Sequence, residues 1–350
     1  MSTAASEAAS EAQERGTGAE GEASAAAATG DERLELITSE TLSNTHLKRA
    51  QGLHASAVAL FTTVGLLAAI ALVRWGSPPG RGEVLFYTVW TVLIAMGSAI
   101  GYHRHFTHRS FKAAVPVRVA LAILGSMASQ GPVIFWTALH RRHHQCSDKK
   151  GDPHSPYVND QGVPHPGFWR GLWHAYMGWT FHHEVPNAAH YARDLIRDKH
   201  ISRINQQYFL WVALGLLVPS AVGAALQGSW MGALSGLVWG GLVRILFWHN
   251  MIWYITSLAH VIGRRDYYSG DQSTNSLLMA LPTLGESWHN NHHAFPTAAI
   301  VGFEWWQFDI CGWVIRLLEK LGLVWDVTRP TPEQRDAKRV RPATTRPTTA

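Results

Sequence analysis

The fold turns on one stretch, "AAVPVRVALAILGSMASQGPVIFWTAL", Ala113–Leu139. Taken alone it is apolar enough for a membrane-crossing helix, which needs about 20 such residues. If it crossed, the histidines before and after it would lie on opposite faces of a bilayer. Pro116, Arg118, Gln130 and Pro132 interrupt it. The reading adopted is therefore a pair of helices at the interface or packed in a cap, and not a span.

Four other runs are better spans. They are "ASAVALFTTVGLLAAIALV" (55–73), "VLFYTVWTVLIAMGSAI" (84–100), "YFLWVALGLLVPSAVGAAL" (208–226) and "WMGALSGLVWGGLVRILFW" (230–248). A large soluble core also contains apolar helices. Four runs of this length in a chain with 16 Trp and only 16% charged residues favour a membrane protein. The links between paired runs are short, 74–83 and 227–229. The expectation is an all-α, multi-pass protein with four transmembrane helices in two hairpins. Everything from 101 to 207, and everything after about 250, then shares one side. That side also carries Lys48, Arg49, Arg104, Arg109, Lys112 and the basic C-terminus, against Arg74 and Arg81 opposite. The positive-inside rule puts it, with both termini, in the cytosol.

Residues 1–45 are rich in Ala, Glu, Ser and Gly and are expected to be a disordered tail with no cleavable signal peptide. Residues 330–350, basic and Pro-rich, are expected to be disordered as well. The domain between them is 46–329. Two cysteines, Cys146 and Cys311, exclude a disulfide framework and suit a reducing compartment. A net charge of +5 supports no nucleic-acid partner, and no internal repeat stands out beyond the two hairpins.

Histidine supplies 20 of the 350 residues, in three tight groups. "HRHFTH" holds His103, His105 and His108; "HRRHH" holds His140, His143 and His144; "HNNHH" holds His289, His292 and His293. His260 follows the fourth run. In the second and third groups the i, i+3, i+4 spacing puts three imidazoles on one helical face. His103 and His108 are about 140° apart on an ideal helix, so their convergence needs a helix end or a distortion. Any one group is readily explained as surface. Two repeats of HxxHH with a third group on the same side are not, and they point to metal. Imidazole suits Zn, Cu, Fe and Ni. Eight or nine imidazoles exceed one zinc site, but two metals with four or five nitrogen ligands each would use them. An iron pair that activates dioxygen against an unreactive C–H bond accounts for a site beside lipid, although spacing alone does not identify the metal.

At these residues the chain resembles the membrane fatty acid desaturases of the Δ9, stearoyl-CoA desaturase-like branch. The three histidine groups match that family's HxxxxH, HxxHH and HxxHH. The words "SDKKGDPHSP", "GESWHNNHHAFP" and "EWWQFDICGWVIRLLEKLGLVWDV" match too, over roughly His54 to Arg329. The resemblance implies a cytosolic helical cap holding a di-iron centre, with two Fe ions and O2 as co-substrate. It implies a cis double bond, at Δ9, in a saturated chain on CoA or a lipid. It assigns as ligands His103, His108, His140, His143, His144, His260, His289, His292 and His293, leaving out His105, Cys146 and His154. Asp148, Asp152 and Glu286 are candidates to orient ligand imidazoles, with Asn290 and Thr256 beside a metal-bound water. Trp136, Trp173 and Trp179 are candidates for the acyl tunnel. Thr256 replaces a family Asn, Ala138 and His182–His183 replace CoA-binding cations for which Arg141, Arg142, Lys149 and Lys150 could substitute, and the 157–171 loop is longer. The acyl carrier (CoA, carrier protein or glycerolipid) thus stays open. No haem, iron–sulfur or nucleotide motif is visible, which implies an external electron-transfer protein of ferredoxin or cytochrome type with its reductase. The rivals are a hydroxylase of the same histidine-rich class and a membrane metal transporter or sensor.

Overall fold

The computed structural model describes residues 38–75 and 78–341. The disorder expected for 1–37 and 342–350, and the expected lack of a signal peptide, lie outside the described residues.

Helix α1 (Thr45–Arg74) is N-capped by Asn44, whose side chain accepts from the His46 and Leu47 amides. Helix α2 spans Arg81–Thr107. Between the hairpins come α3 (Val115–Met127) and α4 (Val133–Cys146). Short helical turns over 168–206 lead to α5 (Tyr208–Gln227) and α6 (Trp230–His260). The rest is loop around α7 (His289–Ala294), α8 (Ile310–Lys320) and α9 (Pro332–Lys338). Two-residue antiparallel pairs, Thr41–Leu42 with Val185–Pro186 and Lys112–Ala113 with Val324–Trp325, pin segments of the cap together. The protein is all-α with four membrane-spanning helices, α1, α2, α5 and α6, each longer than or equal to the run that announces it.

The Ala113–Leu139 stretch does not cross. Helix α3 has 13 residues, so it is about 20 Å long against a hydrocarbon core of about 30 Å. The chain then reverses at 128–132, where Ser129 (φ 63°) and Gly131 (φ 102°) are left-handed. Packing of α3 on α2 requires glycine on both sides: a Cβ at Gly125 would collide with the Tyr102 ring, and one at Gly97 with the Gly125 amide. At the far end Glu83 of α2 accepts from Gln227 of α5 at 2.9 Å, joining the two hairpins.

The ordered region is longer than expected at both ends. Before α1, the Asn187 amide donates to Glu40 O, and Gln145 Nε2 to the Glu40 carboxylate. After 330 the chain forms α9, capped by Thr331, with Lys338 Nζ donating to Ala294 O at 2.6 Å. A basic, Pro-rich composition suggests disorder, but Pro332 sits in the first helical turn, where its missing amide costs nothing.

Candidate metal centre

Helix α2 loses its α geometry where the histidines begin. Gly97–Thr107 is π-helical, and the His108 amide donates to His103 O at 3.2 Å. An i→i+5 bond widens the turn until residues five apart are stacked. The two imidazoles, about 140° apart on an α-helix, come to 4.9 Å between centroids. Helix α4 presents His140, His143 and His144, α7 presents His289, His292 and His293, and the last turn of α6 presents His260.

These nine form two groups. His103, His108, His140, His144 and His292 offer five nitrogens within 4.8 Å of one another, and His143, His260, His289 and His293 offer four. In the first, His292 Nε2 is 3.0 Å from His103 Nε2 and 2.9 Å from His144 Nε2. In the second, His289 Nε2 lies 3.0 Å from His260 Nε2. The Nε2 atoms of His108, His143 and His293 are buried with no hydrogen-bond partner. Buried polar atoms are rarely left so. Converging imidazole nitrogens, some unpartnered, fit a pair of nitrogen-ligated metal ions.

Four carboxylates hold the outward nitrogens. Glu286 meets His103 Nδ1 at 2.5 Å, Asp152 meets His143 Nδ1 at 3.0 Å, Asp148 meets His260 Nδ1 at 2.9 Å, and Asp271 meets His293 Nδ1 at 2.5 Å. Each accepts the Nδ1 proton and leaves the Nε2 lone pair aimed inward, the usual way a ligand's tautomer is fixed. Burial opposes ionisation of Glu286, yet Arg104 and His103 hold it down at about 2. Asp152 and Asp271 are likewise held low against burial by their histidines. Burial, then neighbouring imidazoles, pushes His140, His144, His289 and His292 well below the ordinary value, so they are neutral and able to ligate. Asp148 sits at φ 58°, a conformation costing a non-glycine residue about 1–2 kcal/mol; its carboxylate reaches both His260 and the Gln272 amide from there.

Sequence reasoning missed Asp271, whose surroundings, "SGDQS", resemble any polar loop. The one available signal was arithmetic: three expected carboxylates for more than three imidazoles. It also missed Arg104. That fully buried guanidinium donates to Glu286 Oε1, to both Asp309 oxygens and to Ala299 O. Two of the expected residues have protein partners of their own. Thr256 donates to Ala175 O at 2.7 Å, and Asn290 braces the 266–269 loop, accepting from the Asp266 and Tyr267 amides. A hydroxyl buried within reach of helix carbonyls pairs with them, and an amide between two polar backbone segments does the same. The residues set aside stay outside both groups: His105 pairs with Phe111 O and Cys146 with Arg142 O. His154 packs 4.1 Å from the His143 ring. Arg141 and Arg142 are consumed internally by Asp194 and Glu184.

An apolar cavity of about 400 Å³ runs beside the first group, lined by Val58, Phe135, Leu139, Ile252 and Trp253 among others. Trp136 and Trp179 line it, and Trp136 stacks on His140 at 4.9 Å. Trp173 does not: it is 56% exposed, because its position on a short cap helix turns it outward.

The comparisons agree with this geometry. Residues 82–328 match the family described as fatty acid desaturase. The chain is 47% identical over 303 residues to a hex-5-enoyl acyl-carrier-protein acetylenase of Moorena producens, covering 86% of this chain and 94% of the relative. It is 35% identical over 236 residues to an sn-1 stearoyl-lipid 9-desaturase of Anabaena variabilis, covering 66% and 78%. It is also 35% identical over 251 residues to an acyl-CoA 5-desaturase of Anemone leveillei, covering 71% and 72%. A four-span helical protein with two polyhistidine groups beside an apolar cavity, matched over most of its length, belongs to the fatty acid desaturase family of oxidoreductases.

Proposed function

We propose that the chain binds one iron in each histidine group and uses O2 to remove two hydrogens from a saturated acyl chain, leaving a cis double bond at Δ9. The observation that carries this is the five-and-four partition of nine imidazoles against an apolar cavity. Bound iron would supply dioxygen activation and abstraction of hydrogen from an unactivated C–H bond. The rest falls to the protein. The Nε2 atoms hold the ions, and the carboxylates fix each ring's tautomer and lend it basicity. The cavity presents a methylene chain beside His140 and limits water there, since the groove around Trp136 is mostly apolar. Placement of the chain along that groove then decides which carbons react.

The active site and both termini are assigned to the cytosolic side on the charge asymmetry of the loops. The acyl group arrives on CoA or a lipid. A second reading is favoured by one finding. The relative at 47% identity is named as an acetylenase on a short enoyl chain carried by acyl-carrier protein, so removal of two hydrogens from an existing double bond, giving an alkyne, is the alternative product. A hydroxylase would use the same ions with the chain placed differently, and a metal transporter would call for polar residues along the spans.

Expression in a host with defined lipids, followed by mass spectrometry, separates these. A fatty chain short of two hydrogens supports desaturation, a chain short of four supports the alkyne, and an added oxygen supports hydroxylation. Purified protein should carry two irons and the His143→Ala variant about one, with activity abolished. Protein free of iron after expression in iron-replete cells would refute the reading.

A further inference from the structure

The apolar cavity beside His140 is closed differently on its two sides. Its back wall is α6, through His249, Ile252 and Trp253, and α1 and α5 stand in front of it. Both of those helices pack against α6. Toward the cap, α1 is tied down: Gln51 Nε2 donates to Thr180 O at 3.3 Å and to His183 O at 3.2 Å. Toward the bilayer, the front between α1 and α5 is bridged by a side-chain pair, His54 Nε2 at 2.9 Å from Tyr208 Oη. Phe209, next to Tyr208, lines the cavity and is also 78% exposed on the surface of α5. The cavity therefore reaches the face of the molecule that lipid covers.

The depth of this bridge follows from helix lengths. Helix α5 has 20 residues, about 30 Å, which matches the hydrocarbon core, so Tyr208, its first residue, stands at the cap-side edge. Residues 55–74 of α1 fill the same depth, which sets His54 at the same level. The pair thus lies where a bilayer lipid joins its acyl chains to its headgroup. A histidine on a span is costly and points to function, and a neutral hydrogen bond to a tyrosine parts readily.

We propose that the gap between α1 and α5 is a lateral portal, and that the acyl chain reaching the cavity through it belongs to a lipid of the cap-side leaflet. The chain passes between the two helices as the His54–Tyr208 pair parts, while its ester stays at the headgroup boundary. It then lies along the apolar wall toward Trp136, which stacks on His140. The proposal rests on the desaturase reading and narrows it. CoA and acyl-carrier protein would present a chain from water, where Gln51 holds the wall shut, whereas the bridged gap faces hydrocarbon.

The test uses the full chain in nanodiscs of phosphatidylcholine that carries a diazirine on one acyl chain. In the His54→Cys/Phe209→Cys variant a short bis-methanethiosulfonate joins α1 to α5, mass spectrometry verifies the link, and dithiothreitol releases it. With the helices free, light should attach lipid to Leu139 and Trp253, cavity residues only 7% and 6% exposed. With them joined, these adducts should be lost and should return on release, while adducts on Leu67, 61% exposed on α1, stay constant. His54→Cys alone, treated alike, should label as the open protein does, which sets aside Cys146 and Cys311. Cavity labelling that persists in the joined protein, or never occurs in wild type, overturns the portal. Labelling needs no turnover, so the two readings fail separately. Wild type that labels but forms no product from phosphatidylcholine, acyl-CoA or acyl-carrier protein keeps the portal and loses the desaturase reading. Wild type that desaturates only acyl-CoA or acyl-carrier protein, with no cavity labelling, loses the portal and keeps that reading.

Discussion

Replacing Glu286 by glutamine removes one charge and almost no volume, yet two neighbours cannot both accept the change. In the native site Oε2 accepts from His103 Nδ1 at 2.5 Å, and Oε1 accepts from Arg104 Nε and Nη2 at 3.0 and 2.7 Å. An amide offers one acceptor oxygen and one NH2 donor. If the oxygen stays with Arg104, the NH2 faces His103, whose Nδ1 must become an acceptor. Its proton then moves to Nε2, where it occupies the lone pair that the five-histidine group needs. If the oxygen turns to His103, the NH2 faces a guanidinium that is all donor.

The first arrangement is the less costly of the two. Arg104 also keeps both Asp309 oxygens and Ala299 O, so the fold loses one charge-assisted contact, worth about 1–3 kcal/mol, and avoids the larger cost of an abandoned buried charge. Iron binding bears the rest: loss of an acceptor behind a ligating histidine costs about 10–100-fold in metal affinity or activity. Glu286→Gln should therefore lose about half of its iron on dialysis against a chelator that spares wild type, lose desaturation in cells by about 10–100-fold, and melt only a few degrees lower. Asp309→Asn is the contrasting case. Asp309 caps α8 and accepts from the Val301 amide as well as from Arg104, so its loss should lower stability with His103 still correctly held. Metal analysis and thermal melting on the same preparations decide the matter. A Glu286→Gln protein with wild-type iron retention and full activity would refute the tautomer argument.

Two further outcomes follow from the packing. Burial holds His183, which is 4% exposed, down at about 4 from the ordinary 6.5. The folded state thus binds fewer protons than the unfolded one between those values, and this contribution to stability, intact above pH 6.5, is lost as pH falls toward 4 at about 1.4 kcal/mol per unit. Thermal melts across that range should slope downward, and less steeply in His183→Asn; equal slopes would show that His183 is not the titrating group. Gly125→Leu should fail to yield folded protein by size-exclusion chromatography, because its side chain would enter the Tyr102 ring, whereas Gly52→Ala meets nothing within 4 Å and should gain about 0.5–1 kcal/mol from helix propensity.

What could be read in the sequence was whatever depends on residue type and spacing alone. The HxxHH groups on α4 and α7 need only α-helical periodicity, and the spans need only length and apolarity. The His103/His108 pair required a distortion whose form spacing does not reveal: a π-helical turn over Gly97–Thr107, where Gly97 and Gly101 let α2 lie close against α3. The acids divide in the same way. Asp148, Asp152 and Glu286 each flank a histidine motif, which nominated them, although Asp148 and Glu286 hold distant partners, His260 and His103. Asp271 lies in a polar loop that flanks no histidine motif, and Arg104 sits inside one but as a cation, so residue type and spacing single out neither. Thr256 and Asn290 were nominated by position in a motif, and both found backbone partners closer to hand.

The reversal at 128–132 ties the metal groups to the cavity. Irregular backbone near membrane depth is tolerated only where protein satisfies its polar groups, and here every span contributes to doing so. Arg244 of α6 donates to Met127 O at 2.9 Å, and Ser98 of α2 donates to Gln130 Oε1 at 2.8 Å. Tyr208 of α5 accepts the Gly131 amide at 3.0 Å and is itself 2.9 Å from His54 Nε2 of α1. Gln130, Gly131 and Pro132 in turn line the cavity, and α4, with three ligand histidines, starts at Val133. The floor of the apolar cavity and the start of the helix carrying His140, His143 and His144 are therefore set by the same five residues. A fifth crossing at Ala113–Leu139 would have left the two unconnected.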